Sequence, residues 1–193
     1  MKLTPISAHQ GTANFENIDQ QIADLKTAGF KYFVIPVPPM GLFTFDQVNK
    51  RMAMKGGAKN LAEILDKLGE KCAAAGLQLL YHNHDFEFAP VGDTTGYEIL
   101  TANTDASLVK LELDLYWAVK AGRDPLEIMT AHKGRVICCH VKDASAAPER
   151  TMLDVGAGTI DFKMLLDKGR TLGLTHWFIE HDQPTDALAS VKA

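Results

Sequence analysis

Four metal-capable side chains each stand at the end of a short, strand-like apolar run. They are His82, Asp114, His140 and Glu180, at intervals of 32, 26 and 40 residues, and each interval is about the length of one βα unit. Because parallel strands bring their carboxyl ends to one side of a sheet, we expect these side chains to meet there. Two imidazoles and two carboxylates make a mixed nitrogen and oxygen set that suits Mn²⁺, Co²⁺, Zn²⁺ or Fe²⁺.

The alternative for any one of these residues is a helix cap or a hydrogen-bonded loop residue, which is the commoner role of a polar strand end. Four such ends in consecutive units favour a metal site. Side chains alternate along a strand. His84 should therefore share the face of His82, and Lys142 the face of His140.

The elements that must position these residues are six predicted strands separated by helices. The strands are Leu3–His9, Phe30–Val37, Leu77–Asn83, Val109–Leu115, Arg135–Val141 and His176–Glu180. Helical stripes lie between them, one helix is predicted to begin near Pro125, and Thr44–Met54 is predicted to be a short helix. This βα alternation predicts an α/β fold with a parallel sheet.

Two architectures fit the alternation: an open doubly wound sheet, or part of a parallel (β/α) barrel. No glycine-rich phosphate loop follows any strand, which weakens the nucleotide-binding, doubly wound alternative. Ligands on four consecutive strands favour the barrel, because its strand ends converge. No linker divides the chain, so we expect one domain over residues 1–193.

Composition limits the partners. The chain has 193 residues, 46% hydrophobic and 23% charged, with a net charge of −4, which argues against nucleic acid. There is neither a run of about 18 apolar residues nor the apolar core of a signal peptide, so we expect no membrane partner. The odd number of cysteines, 3, disfavours a disulfide framework and favours a cytoplasmic location.

Several motifs resemble one family. They are Y-H-N-H-D-F-E-F at Tyr81–Phe88, E-L-D-L-Y-W at Glu112–Trp117, H-V-K-D at His140–Asp143, V-G-A-G-T-I-D-F at Val155–Phe162 and E-H-D at Glu180–Asp182. In this order they are similar to sugar phosphate isomerase/epimerase-like proteins, in the His-Asn-His subgroup. Those proteins are TIM barrels of the xylose isomerase-like type.

The resemblance implies a barrel of eight βα units, of which about six are found here. We expect the first two to be missing, because Ile6–His9 resembles the third strand of the family. Open strand edges are unfavourable, so we expect the isolated chain either to self-associate as a homo-oligomer or to be poorly stable. His82 also stands where epimerases of the superfamily usually have a glutamate, which puts a two-glutamate proton shuttle in doubt.

We expect His82, Asp114, His140 and Glu180 to bind the metal. Glu180, Lys142 and Glu87 are the catalytic candidates: Glu180 to take or return a proton and Lys142 to stabilise an oxyanion. The alternative for Lys142 is an ion pair with Glu112. Glu87 is a base or supports a ligand, and the alternative for it is a surface role.

The candidates for substrate binding are His9, His84 and Trp117. His84 binds a substrate hydroxyl, acts as a ligand or hydrogen-bonds a loop. Trp117 offers an aromatic face to a sugar ring or packs under a loop.

The expected function is a metal-dependent isomerase or epimerase that acts on a sugar through proton abstraction beside a carbonyl and an enediolate. The cofactor is Mn²⁺, Co²⁺, Zn²⁺ or Mg²⁺, and the partner is a small-molecule sugar. Two alternatives remain: a 3-keto-glycoside lyase or hydratase that uses the same metal site, and a non-catalytic carbohydrate-binding remnant. A nuclease is disfavoured, because it would need a basic face and more ligands.

Overall fold

The computed structural model describes residues 3–11, 17–47, 51–54 and 57–192. The chain forms two compact units, Met1–Lys110 and Leu111–Ala193. The expectation of one domain over residues 1–193 stays a prediction. None of the helices in the described ranges has the length and apolar character needed to cross a bilayer.

The first unit is built on a group of parallel strands. Its elements are β1 (Ser7–His9), α1 (Ile18–Ala28), β2 (Tyr32–Ile35), β3 (Thr44–Asp46), β4 (Arg51–Ala53), α2 (Ala58–Ala75), β5 (Gln78–His82), β6 (Pro90–Val91), β7 (Thr94–Thr95) and α3 (Gly96–Asn103). β2 lies between β1 and β5, so that Phe33 aligns with Ala8 on one side and Leu79 on the other. Phe33 and Leu79 are fully buried, as expected for parallel strands covered on both faces.

The two long helices of this unit each end at a glycine. Gly29 and Gly76 follow α1 and α2 with φ of 81° each, a left-handed conformation that glycine adopts without strain. Leu61, Leu65 and Leu68 are buried along one side of α2. The helical spacing of these leucines is the signal that predicted the helix.

The segment from Thr44 to Met54 differs from its prediction. Instead of a short helix, it forms the antiparallel pair β3–β4, in which Phe45 faces Met52. Thr44 and Phe45 favour extended structure, and a cross-strand apolar pair stabilises such a ribbon. The helical prediction was therefore wrong, because pairing between its two halves outweighs local helix propensity.

The second unit carries the other parallel strands. Its elements are β8 (Val109–Asp114), which begins just before the unit boundary, α4 (Leu115–Lys120), α5 (Pro125–Ala131), β9 (Val136–Val141), β10 (Asp143–Ala144), β11 (Met152–Leu153), α6 (Phe162–Leu172), β12 (His176–Ile179) and α7 (Ala187–Ser190). β9 lies between β8 and β12 and is parallel to both. Pro125 is the first residue of α5, as predicted.

Burial falls from the inner strands of this unit to its last strand. Leu113 and Cys139, aligned on β8 and β9, are fully buried. Trp177 and Ile179 on β12 are 38% and 67% exposed. β12 is therefore an edge strand with an apolar side open to solvent.

Candidate functional site

Strand register brings predicted ligands together in the second unit. Asp114 at the end of β8 aligns with His140 on β9, and His140 aligns with Phe178 on β12. Glu180 follows two residues after Phe178, so alternation returns it to the side of His140. Three of the four predicted ligands thus gather at the carboxyl ends of three neighbouring parallel strands.

Asp114, His140 and Glu180 offer ligand atoms that all lie within 4.8 Å of one another. His140 Nδ1 is 2.5 Å from Glu180 Oε2 and 4.0 Å from Asp114 Oδ2. Asp114 is fully buried and His140 is buried. We call these three residues the acidic-histidine cluster.

Asp114 has a second role as a helix cap. Its Oδ1 accepts a hydrogen bond of 2.9 Å from the backbone N–H of Trp117, at the start of α4. Burial raises the pKa of Asp114 to about 6, although the nearby Lys142 ammonium opposes this rise. The cap and the cluster use different oxygens, so the two roles foreseen for a strand-end aspartate coexist.

His140 and Glu180 form a charge-assisted pair. Burial lowers the pKa of His140, but hydrogen bonds with Glu112 and Glu180 outweigh burial and raise it to about 9. The hydrogen bond from His140 holds the pKa of Glu180 well below its usual range, against the smaller effect of burial. The contact therefore favours the protonated form of His140 and the ionised form of Glu180.

Lys142 places a positive charge at the edge of the cluster. Its Nζ lies 3.2 Å from Asp114 Oδ2, 2.8 Å from Glu180 Oε2 and 2.7 Å from Asp182 Oδ1. Burial lowers the pKa of Lys142, but these carboxylates outweigh it, so that its pKa lies above the ordinary value. Lys142 is thus ion-paired, with partners that differ from the expected Glu112.

Glu112 and Asp182 were missing from the predicted site. Glu112 is fully buried, and its Oε2 lies 3.1 Å from His140 Nε2. Asp182 Oδ1 accepts a hydrogen bond of 2.7 Å from Lys142 Nζ. Alternation was the signal for Glu112, which lies two residues before Asp114 on β8. It gave no such signal for Asp182, which lies beyond the end of β12.

A loop beside the cluster is held by one buried carboxylate. Asp143 accepts hydrogen bonds from the backbone N–H groups of Ala144, Gly156, Gly158 and Ile160 at 2.8, 2.9, 2.9 and 3.2 Å. Asp143 is 1% exposed. Lys142 therefore enters the cluster while its neighbour Asp143 fixes the loop.

The first unit holds the other predicted ligand, His82, at the end of β5. Its ring centroid lies 4.9 Å from that of His9 and 5.0 Å from that of His84. His84 stacks on Phe86, with centroids 5.1 Å apart and planes at 10°. The three predicted histidines of this unit are thus neighbours, and their roles in metal and substrate binding stay predictions.

Glu87, the remaining catalytic candidate, lies in the short 3₁₀ turn Phe86–Phe88. It is 0% exposed, so burial excludes the surface alternative. Burial also raises the pKa of Glu87 to about 8, although hydrogen bonds from Tyr81 and His84 oppose the rise.

Trp117 lines a cavity in the second unit. The cavity has a volume of about 410 Å³. Its other lining residues are Tyr116, Lys120, Thr151, Met152, His181, Asp182 and Gln183. Trp117 meets Tyr116 edge-on, with ring centroids 4.9 Å apart. Asp182, which lines this cavity, also accepts a hydrogen bond from Lys142. The cavity therefore adjoins the acidic-histidine cluster.

The donor set of the cluster fits a divalent ion. One imidazole nitrogen and two carboxylate groups are ligands that Zn²⁺, Mn²⁺ and Co²⁺ accept. Their close approach is what a shared cation requires. Both carboxylates are already held in place: Asp114 accepts a hydrogen bond from the backbone N–H of Trp117, and Glu180 forms an ion pair with Lys142.

Comparisons with known proteins agree with this fold. Inosose dehydratase from Lacticaseibacillus casei is 28% identical over 148 residues, which are 68% of this chain and 49% of that protein. The chain spans about half the length of the curated relatives it matches.

Two solved structures share the fold. A sugar phosphate isomerase/epimerase from Parabacteroides distasonis superposes with a TM-score of 0.71 at 28% identity, over 92% of this chain and 61% of that one. The IOLI protein, solved with a zinc atom, gives 0.68 at 17% identity, over 98% of this chain and 73% of that one.

The family comparison covers nearly all of the chain. The family described as xylose isomerase-like TIM barrel matches residues 4–191. The predicted fold class, a parallel TIM-type barrel that is only partly present here, is confirmed, as is the resemblance carried by the motifs. The chain therefore belongs to the xylose isomerase-like TIM barrel family.

Proposed function

We propose that this chain carries the site of a divalent-metal-dependent dehydratase that removes water from a keto-polyol such as an inosose. The curated relatives that match the sequence are inosose dehydratases. They favour the lyase or hydratase alternative over the isomerase or epimerase that the sequence led us to expect first. The observation that carries the proposal is the acidic-histidine cluster with Lys142 beside it.

The metal ligands in this proposal are Asp114, His140 and Glu180 of the second unit. These residues would hold a divalent ion, which would supply Lewis-acid polarisation of the substrate carbonyl and so make the neighbouring C–H bond more acidic. Zn²⁺ and Mn²⁺ are the first ions to test, because both accept a mixed imidazole and carboxylate set.

Glu180 is the residue that moves the proton in this proposal. Its carboxylate is ionised, because His140 and Lys142 hold its pKa low. It takes the proton from the carbon beside the carbonyl and returns it to the hydroxyl oxygen on the next carbon. A C=C bond forms, the C–O bond breaks, and the departing hydroxyl leaves as water, so one carboxylate serves as base and then as acid.

Lys142 stabilises the negative charge that develops on the substrate oxygen. Its ammonium is buried and held by three carboxylates, so it is oriented before substrate arrives, which is the condition for electrostatic stabilisation of an oxyanion. Trp117 and Tyr116 provide apolar faces for a polyol ring in the adjoining cavity, and Asp182 and Gln183 provide polar groups for its hydroxyls.

The second candidate is the isomerase or epimerase. It is favoured by the Parabacteroides distasonis relative, whose name describes that activity. Both reactions begin with removal of the same proton. They differ in whether the proton returns to carbon or a neighbouring hydroxyl leaves.

Proton NMR in deuterated buffer tests both functions with a panel of keto-cyclitols, ketoses and 3-keto-glycosides. A dehydratase gives an unsaturated product, whereas an isomerase or epimerase gives deuterium exchange without loss of a hydroxyl. Glu180→Gln should lower the rate about 10²–10⁴-fold, because Gln cannot accept the proton.

The matched control is Glu149→Gln, which makes the same chemical change at an exposed position and should leave the rate unchanged. If native chain supplied with Zn²⁺ or Mn²⁺ neither forms the unsaturated product nor exchanges deuterium, both enzymatic functions fail and the non-catalytic remnant is favoured.

A further inference from the structure

A buried carboxyl group lies directly behind the histidine segment of the first unit. Glu87 Oε1 accepts a hydrogen bond of 2.7 Å from the Tyr81 hydroxyl, and Glu87 Oε2 accepts one of 2.8 Å from the backbone N–H of His84. Tyr81 and Glu87 are at most 1% exposed. Both oxygens are thus engaged by groups that flank His82 in sequence.

We propose that Glu87 is a positioning residue: its carboxyl group fixes the backbone at His84, and through it the His84 imidazole for substrate binding, and takes no part in proton transfer. The substrate-binding role of His84 rests on the proposed function. The structural part of the proposal, that Glu87 holds the His84 backbone, stands without it.

The contacts of His84 show how a fixed backbone would orient its ring. The imidazole stacks on Phe86, one residue before Glu87, and meets His82 edge-on. Tyr81 anchors the other end of the segment through Glu87. The carboxyl group therefore joins the end of β5 to the turn that follows it, with His82 between its two hydrogen-bond donors in sequence.

Geometry also argues against Glu87 as the base. A base must come within hydrogen-bond reach of the proton that it takes, but Glu87 is fully buried and both of its oxygens already accept. Freeing one oxygen would leave a buried donor without its hydrogen bond, which is unfavourable.

Substitution separates the two roles. In Glu87→Gln the amide oxygen can accept from His84 N–H and the amide nitrogen can donate to the Tyr81 oxygen, so positioning survives and proton acceptance does not. Glu87→Ala removes both hydrogen bonds. Glu98→Gln is the matched control, because Glu98 accepts from the Thr95 backbone N–H and the Thr94 hydroxyl at the start of α3.

Two measurements are made on the native chain and the three variants. One is hydrogen exchange of the His84 amide by NMR, which needs no activity. The other is kcat and KM in the dehydration assay. We expect Glu87→Gln to keep His84 amide protection and kcat within about threefold. Glu87→Ala should lose at least about tenfold in His84 protection and raise KM more than it lowers kcat. Glu98→Gln should change neither.

A loss of 10²-fold or more in kcat in Glu87→Gln, with His84 protection intact, would overturn the proposal, because that pattern identifies a base. Unchanged His84 protection in Glu87→Ala would also overturn it. If Glu87→Ala does not fold, Tyr81→Phe replaces it: this variant removes one of the two anchors, so His84 protection should fall, and unchanged protection contradicts the proposal. Absence of turnover in the native chain counts against the proposed function alone, since amide exchange still decides whether Glu87 holds His84.

Discussion

Asp114 uses its two carboxylate oxygens for different purposes. One accepts the Trp117 N–H and begins α4, and the other faces Lys142 and His140. A variant that removes the carboxylate therefore changes helix stability and the cluster together. Any test of metal binding at this residue must separate the two effects.

Asp114→Ala and His140→Ala should each lower divalent-metal affinity by more than about 10–100-fold, because that loss already follows removal of a group that only supports a ligand. Bound metal is measured by elemental analysis and by titration calorimetry. Asp124→Ala is the control, because Asp124 caps α5 by accepting the Leu126 N–H. This variant should lower stability by about 0.5–2 kcal/mol and leave metal affinity unchanged. Full metal occupancy in both cluster variants would remove these residues from the site.

Lys142→Met should tighten divalent-metal binding by about tenfold or more. The ammonium contacts oxygens of Asp114 and Glu180 that the ion would bind. A unit charge about 4 Å away is worth on the order of 4 kcal/mol at an effective dielectric constant of about 20. Titration calorimetry measures the change, with exposed Lys163→Met as control. Unchanged or weaker binding would show that Lys142 and the metal do not compete.

At the scale of elements, two neighbouring residues just after β9 point to opposite sides and have different roles. Lys142 enters the cluster, and Asp143 binds the loop at 156–160. Val155, just before this loop, shares a small cavity with Glu180 and His181. The position of the loop thus bears directly on the surroundings of the proposed base.

Gly158→Ala should destabilise the fold by about 1–3 kcal/mol, as overpacking does. A Cβ at this position would overlap with Asp143 Oδ1 and with the carbonyl oxygen of Ala144. Urea unfolding measures the loss. Gly41→Ala is the control, because a Cβ there meets open space. Equal stability of both variants would show that the loop can move away from Asp143 without cost.

The parallel strands were predictable from sequence because each is a short apolar run between helical stripes. Phe33 and Leu113 are fully buried as such runs require. The β3–β4 ribbon was not predictable, because its apolar spacing does not exclude a helix. The ligand positions followed from alternation, but the partners of Lys142 did not. Asp182 reaches it from beyond the end of β12, where the backbone is no longer periodic.

At the scale of the whole molecule, β12 is the least buried parallel strand of its unit. Exposed Ile179 and Trp177 lie on this strand, and Leu188 and Val191 are 75% and 79% exposed nearby in sequence. Strands of parallel sheets are normally buried on both faces. The expected self-association of the isolated chain would cover this surface.

Ile179→Lys should shift the isolated chain toward the monomer, because a charge on an edge strand disfavours pairing with another chain. Analytical ultracentrifugation over a range of concentrations measures this. Lys163→Met, at an exposed position on α6, should leave the association unchanged. A native chain that is monomeric at all concentrations and melts cooperatively at high temperature would contradict the prediction.

The two tryptophans of the chain lie in different surroundings, and this gives the protein its own optical reporter. Trp117 lines the cavity beside Asp182. Trp177 lies on the exposed strand β12, where its ring is 4.7 Å from the Arg170 guanidinium. In Trp177→Phe, all indole emission would come from the cavity wall. Binding of a polyol in the cavity would then change the intensity and the wavelength of the Trp117 emission. The measurement needs neither turnover nor a label, so candidate ligands can be ranked before any reaction is known.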